Sequence, residues 1–168
     1  MNEENIKRQV HEAATVFEVN PELVQKPPIK VEHTYEASIE EVWAALTDKE
    51  KMKVWYFDLT DFKAEQGFRF SFPGQGLKGE QYQHLCVITD LIPKRKLQYS
   101  WEYKDLPGYS LLTFFLTDLN RKTHLKLTHH GVETFPQDSP DFARSSFEDG
   151  WNHIIATSLA EYLKKNRQ

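Results

Sequence analysis

Cysteine is almost missing from this sequence: Cys86 is the single cysteine among 168 residues. One thiol excludes an intrachain disulfide framework and indicates a reducing compartment. No apolar run is long enough for a transmembrane helix. The first residues have neither the basic start nor the apolar core of a signal peptide. We therefore expect a cytoplasmic protein.

The net charge of the chain is small, and the common catalytic motifs are absent from it. A formal net charge of −4 gives no electrostatic reason to expect nucleic acid or an anionic membrane as a partner, and without a long apolar run no membrane insertion is expected. A phosphate-binding loop, a Gly-x-Ser-x-Gly elbow and a dinucleotide fingerprint are all absent. His84 and Cys86 share a strand face, but two ligands without a His-x-x-x-His or Cys-x-x-Cys motif do not make a metal site. We expect no metal and no cofactor.

Aromatic side chains, by contrast, are plentiful, with four Trp, seven Tyr and eleven Phe. The chain length suggests one domain with a sizeable core. Residues 1–28 look like an appendage to it. They carry a narrow helical stripe formed by Ile6, Val10, Ala13 and Phe17. Prolines at 21, 27 and 28 then interrupt the helix and stiffen the link. We predict an N-terminal extension over 1–28 and one domain over 29–168.

Most of that domain shows the apolar–polar alternation of β-strands. The predicted strands lie near residues 29–36, 68–72, 79–92, 97–103, 109–119 and 125–130. In the third, Cys86, Val87 and Ile88 are consecutive, which leaves its facing open and suggests a bulge. After the first strand, Ser38 and Glu41 form a capping box, and residues 47–50 repeat the capping pattern. Two short helices are therefore expected before the second strand.

The last part of the chain predicts one long helix over residues 139–165. Its apolar face follows the helical period and consists of Phe147, Trp151, Ile154, Ile155, Ser158, Leu159, Tyr162 and Leu163. Antiparallel strands with one apolar face need one covering layer, and this helix is long enough to provide it. A strand, two short helices, about six antiparallel strands and a long helix predict an α+β helix-grip fold. In that fold, a curved antiparallel sheet wraps around the C-terminal helix.

Several stretches also resemble a known family. They are Ser38 to Leu46 with Trp55, Gly67 to Phe70, Ile92-Pro93 through Trp101, Leu125 to Gly131, and Gly150-Trp151 with Leu159 and Leu163. In order and spacing these are similar to motifs of the family named after the activator of the ninety-kilodalton heat-shock chaperone's ATPase, in the START-like (SRPBCC) superfamily. The resemblance covers about residues 29–165 and implies the helix-grip fold.

The resemblance implies three alternative functions. The first is non-enzymatic binding of a small hydrophobic or lipid-like molecule between the sheet and the last helix. The second is a protein-interaction module that acts on a chaperone as an ATPase activator-like cofactor. The third is an enzyme of the cyclase or hydratase type. The enzyme ranks last because the sequence shows no acid–base pair at a definable spacing.

Ligand sites of the first kind are mostly apolar, with a few polar groups that orient the ligand. Strand parity, helix face and resemblance together give the candidate lining residues Trp55, Tyr99, Trp101, Leu112, Phe114, Leu127, His129 and Trp151. The alternative is that these side chains only fill the core, as aromatics commonly do. Parity places His129 on the buried face, where it either orients a ligand or is a structural histidine bonded within the protein.

The domain boundary generates a first prediction. Because only a narrow apolar stripe lies in the extension, deletion of residues 1–20 should leave a folded domain with a small loss of stability. Urea unfolding of the truncated protein, followed by circular dichroism, should show a single cooperative transition. Loss of that transition would show that the extension belongs to the core.

Overall fold

The computed structural model describes residues 26–166 of the chain. Its strands form one six-stranded antiparallel sheet in the order β1-β6-β5-β4-β3-β2. The strands are β1 (Ile29–Tyr35), β2 (Arg69–Gln75), β3 (Gln81–Ile92), β4 (Lys96–Tyr103), β5 (Ser110–Asp118) and β6 (Thr123–His130). Five strands therefore follow the two short helices, where about six were expected. The first and last strands in sequence pair directly, so β1 is the edge strand of the sheet beside β6.

The two short helices are α1 (Ile39–Thr47) and α2 (Lys49–Trp55). The predicted capping box is present: Ser38 Oγ accepts the Glu41 N–H at 3.2 Å, and the Glu41 carboxylate accepts the Ser38 N–H at 2.7 Å. The second cap is Asp48, whose carboxylate accepts the Glu50 N–H. Local side-chain chemistry thus fixes both helix starts.

The C-terminal helix is made of three consecutive segments: α3 (Arg144–His153), a π-helical segment (Ile154–Leu159) and α4 (Ala160–Lys165). The residues at the joints keep right-handed helical backbone angles, so the three run on as one helix. It begins five residues later than residue 139, the predicted start. Ser139 instead caps a separate 3₁₀ turn, Pro140–Phe142. Pro140 at the first position of this turn and the extended backbone at Ala143 separate the turn from the helix.

The π segment has a cause in the spacing of the buried side chains. The buried residues of the helix recur every four positions, as Phe147, Trp151, Ile155, Leu159 and Leu163. In an α-helix of 3.6 residues per turn, each such step overshoots a full turn by about 40°. The wider π turn rotates less per residue and brings the stripe back toward the sheet. Tyr35 on β1 secures this segment, because its hydroxyl donates to the Ile155 carbonyl at 2.6 Å.

The core lies between the sheet's inner face and the C-terminal helix. On β3 the inner face carries His84, Cys86 and Ile88, which settles the facing of that strand. The irregularity falls between Ile88 and Asp90, where the register against β4 shifts by one residue. Sheet, helix pair and C-terminal helix together form the predicted helix-grip fold. Within residues 26–166, no helix is long and apolar enough to cross a membrane.

Candidate functional site

The structure buries all eight side chains predicted to line a ligand site: Trp55, Tyr99, Trp101, Leu112, Phe114, Leu127, His129 and Trp151. On the sheet, Tyr99 pairs with Leu112, which pairs with His129, while Phe114 pairs with Leu127. Trp55 is more distant. It joins the others through Tyr56, which stacks on Trp55 and lies 6.3 Å from the Trp151 ring. Whether these residues hold a ligand stays a prediction.

A chain of hydrogen bonds connects the helix to the sheet through His129. The Trp151 indole N–H donates to His129 Nδ1 at 2.9 Å. Since an indole nitrogen only donates, the imidazole proton sits on Nε2, which donates to Ser110 Oγ at 2.8 Å. Ser110 donates in turn to the Trp101 carbonyl at 2.7 Å. Both imidazole nitrogens thus have partners within the protein, as the structural interpretation of His129 requires.

Burial controls the charge of this histidine. His129 is fully buried, and removal from water lowers its pKa to about 3, with a smaller contribution from the neighbouring His130. At neutral pH the ring is therefore uncharged, as its acceptor role toward Trp151 requires.

Between the sheet and the helix, the aromatic rings are in contact. The Trp101 and Trp151 rings meet edge to face with centroids 5.4 Å apart. Deeper in the core, the Tyr56 and Tyr99 hydroxyls share a hydrogen bond of 2.6 Å. A ligand that reaches this space must therefore displace side chains, so the accessible part of the site lies nearer the surface.

Near this interior the surface has a pocket of about 190 Å³, which we call the mouth pocket. It forms where the turn between β2 and β3 meets the end of β4 and the start of the C-terminal helix. Its walls are residues 75–77 together with Tyr82, His84, Tyr103, Asp141, Phe142 and Ser146. Ring contacts of Tyr82 and Tyr103 with Phe142, at 5.1 and 4.9 Å, make one wall aromatic.

Asp141 holds the turn over this pocket. Its carboxylate accepts the Leu77 N–H at 2.7 Å and the Tyr82 hydroxyl at 2.6 Å. These bonds, led by the one from Leu77, hold the pKa of Asp141 below its ordinary value. The same carboxylate raises the pKa of Tyr82 to about 12. Gly76 allows the close approach, because a Cβ there would collide with the carboxylate.

His84 is an enclosed polar group of the mouth pocket, with 7% of its surface exposed. Its ring stacks on Phe72 at 4.4 Å and meets Trp101 and Tyr103 at 4.8 Å each. Burial lowers its pKa to about 4, partly offset by a bond to the Phe72 carbonyl. Cys86 lies on the same strand face, and burial raises the pKa of its thiol. Among the described residues, no group of three or more His, Cys, Asp or Glu side chains is placed to hold a metal ion.

The sequence prediction missed the mouth pocket. His84 was considered only as half of a metal pair, and Tyr82, Tyr103 and Phe142 were not considered as site residues. One signal was available for two of them, because Tyr82 and His84 lie on the predicted third strand, before Cys86. No signal linked Asp141 to Leu77 and Tyr82, since these contacts join residues about 60 positions apart in loops and strand ends.

Fold and interior together define a helix-grip domain. The sequence model of the family described as "Activator of Hsp90 ATPase homolog 1-like protein" matches residues 36–164. The chain therefore belongs to that family. A curated relative is the human "Activator of 90 kDa heat shock protein ATPase homolog 1", which is 25% identical over 130 residues. That match covers 75% of this chain, and the chain spans about a third of the relative's length, 36%.

Solved structures show the same fold. Mll3558 from Rhizobium loti matches with a TM-score of 0.70 and 22% identity, over 81% of this chain and 96% of its own. MLL2253 from Mesorhizobium loti has a TM-score of 0.64 and 26% identity, over 82% and 97%. DynU16, a protein of the dynemicin biosynthetic locus, has a TM-score of 0.67 and 19% identity, over 84% and 48%.

The hydrogen-bond chain generates the second prediction. His129→Ala should lower the free energy of unfolding at pH 7 by about 2–4 kcal/mol, because it leaves the buried Trp151 N–H without its acceptor and opens a cavity. Chemical denaturation followed by tryptophan fluorescence measures this loss. His130→Ala, on the exposed side of the same strand, is the matched control and should cost less than about 0.5 kcal/mol.

Lowering the pH should reduce the difference in the free energy of unfolding between the wild type and the His129→Ala variant. Folding keeps His129 neutral, so its stabilising effect is complete above the ordinary pKa of 6.5 and is lost as the pH falls toward about 3. The difference in unfolding free energy should therefore shrink by about 1.4 kcal/mol for each pH unit below about 6. A difference that is the same at pH 7 and pH 5 would contradict a buried neutral His129.

Proposed function

We propose that this domain binds a small, largely apolar molecule without chemical conversion, and that the molecule enters at the mouth pocket. The observation that carries the proposal is the pocket itself: a recess whose wall combines aromatic rings with polar groups at defined positions. Apolar walls with a few orienting polar groups are the usual composition of ligand sites. Membership of a helix-grip family is consistent with ligand binding.

The size of the mouth pocket favours a ligand with a ring-sized body. Its volume is about 190 Å³, and an apolar cavity of about 150 Å³ accommodates benzene. The ring of His84 contacts Trp101, which in turn contacts Trp151. A larger ligand would extend inward by moving these two rings, which would bring it to the eight side chains predicted from the sequence.

Binding without catalysis is favoured by the state of the interior histidine. His129 has both nitrogens engaged by Trp151 and Ser110, and its pKa of about 3 is far from neutrality. General acid–base catalysis works best with a pKa near the operating pH and a group free to exchange a proton with the substrate. His129 has neither property, so we assign it to structure and place the ligand against the aromatic walls.

The test is to block the mouth pocket. Ser146, on the first turn of the C-terminal helix, lines it and donates only one side-chain bond, to the Pro140 carbonyl at 2.8 Å. Ser146→Phe should fill the pocket and weaken binding of 4-ethylanisole at least tenfold. Ligand-observed NMR and a thermal-shift series measure the affinity.

Ser145→Phe is the matched control. Ser145 is exposed on the same helical turn and lies outside the pocket walls. The control should bind 4-ethylanisole as tightly as the wild type. Equal weakening by both variants, or no binding to the wild type of any member of a broad apolar library, would contradict the proposal.

A second candidate function is interaction with a chaperone, which the human relative's name suggests. Its specific support is the 25% identity to that activator over 75% of this chain. The assay adds the purified chain to a ninety-kilodalton heat-shock chaperone and measures ATP hydrolysis and complex formation. A higher hydrolysis rate, with co-elution on size exclusion, would support this function. An unchanged rate without a complex would contradict it.

A further inference from the structure

The imidazole of His84 has a defined tautomer. Its Nδ1 lies 3.2 Å from the Phe72 carbonyl oxygen. A carbonyl oxygen only accepts, so Nδ1 must carry a proton and donate it. Burial lowers the pKa of His84 to about 4, so the ring is neutral at pH 7 and has one N–H. The other nitrogen, Nε2, therefore presents a lone pair.

This lone pair is open to the mouth pocket. Among the described residues, the hydrogen bond from Nδ1 is the one bond of the His84 ring. Within the same part of the chain, the enclosed side-chain atom without a partner is Glu133 Oε1, so Nε2 is not sealed inside the protein. Since His84 forms part of the pocket wall, we infer that Nε2 is the polar atom that it presents to the pocket.

Two other polar groups around the pocket, the Asp141 carboxylate and the Tyr103 oxygen, already accept hydrogen bonds from within the protein. The Asp141 carboxylate accepts from Leu77 and Tyr82. The Tyr103 oxygen accepts the Trp101 indole N–H at 2.9 Å. His84 Nε2 is an acceptor among aromatic rings, without a partner in the part of the chain that the structure describes. A ligand that donates a hydrogen bond to it should bind more tightly than one that cannot, because the second ligand would leave this polar atom buried and unpaired.

We propose that His84 makes the mouth pocket selective for uncharged molecules that carry a hydroxyl donor on a ring-sized apolar body. This inference rests on the proposed function. The ligand's O–H donates to His84 Nε2 while its ring packs against Tyr103 and Phe142. A carboxylate in the same position would bring a negative charge against a lone pair and next to the Asp141 carboxylate. Anionic analogues should therefore bind poorly.

The experiment compares ligands that differ in the donor. 4-Ethylphenol and 4-ethylanisole share a ring and an ethyl group, but the methyl ether cannot donate. At pH 7 the wild-type protein should bind 4-ethylphenol about tenfold more tightly than 4-ethylanisole, which corresponds to the net free energy of one hydrogen bond. 4-Ethylbenzoate should bind more weakly than both. Titration by ligand-observed NMR gives the three affinities.

His84→Phe then tests the residue. This variant keeps a ring in the aromatic box but removes the acceptor, so the preference for the phenol should disappear while 4-ethylanisole still binds. Long-range proton–nitrogen NMR of the wild-type imidazole gives an independent measurement that does not depend on the variant folding. The Nε2 resonance should move when 4-ethylphenol is added and stay in place with 4-ethylanisole.

The outcomes separate this inference from the proposed function. Equal affinity of the wild type for the phenol and the ether, or an Nε2 resonance that does not respond to the phenol, would overturn the role of His84 and leave ligand binding intact. Failure of all three compounds to bind would overturn both.

Discussion

The hydrogen bond from the Trp151 indole to His129 Nδ1 is the contact on which the arrangement of the interior depends. It is the point where a side chain of the C-terminal helix is attached to the inner face of the sheet. Because an indole can only donate, this one bond fixes the tautomer of His129, and His129 then fixes the roles of Ser110 and the Trp101 carbonyl. A buried chain whose members are all satisfied gives the helix one preferred position on the sheet.

That position determines the rest of the site. With Trp151 held at His129, its ring reaches Trp101, and Trp101 lies against His84 at the base of the mouth pocket. The interior is therefore one continuous set of aromatic rings that ends at an opening. The opening is bordered by a turn that Asp141 holds through Leu77 and Tyr82. This arrangement is consistent with the proposed binding of a small molecule at the opening.

The sequence predicts those structural features that depend on neighbouring residues or on a periodic pattern of apolar residues. The Ser38–Glu41 capping box needs four consecutive residues, and the structure confirms it. Strand parity correctly placed His129 and Trp101 on the buried face. The order of elements was enough to predict the helix-grip fold.

The late start of the C-terminal helix was missed, because Ser139 and Pro140 are equally good signals for a 3₁₀ turn. The π segment had a readable signal in the four-residue spacing of the buried stripe, which differs from the 3.6-residue α period.

The mouth pocket could not be predicted because it depends on contacts between loops. Its Asp141 contacts join residues about 60 positions apart in the sequence, and the Leu77 and Asp141 loops show no periodicity. The most direct test of ligand binding at this place is the proton–nitrogen spectrum of the four tryptophan indoles during titration with 4-ethylphenol. Our account predicts a large shift for Trp101, which contacts His84, and none for Trp43 on α1. Equal shifts of both indoles, or no shift of Trp101 at saturation, would contradict it.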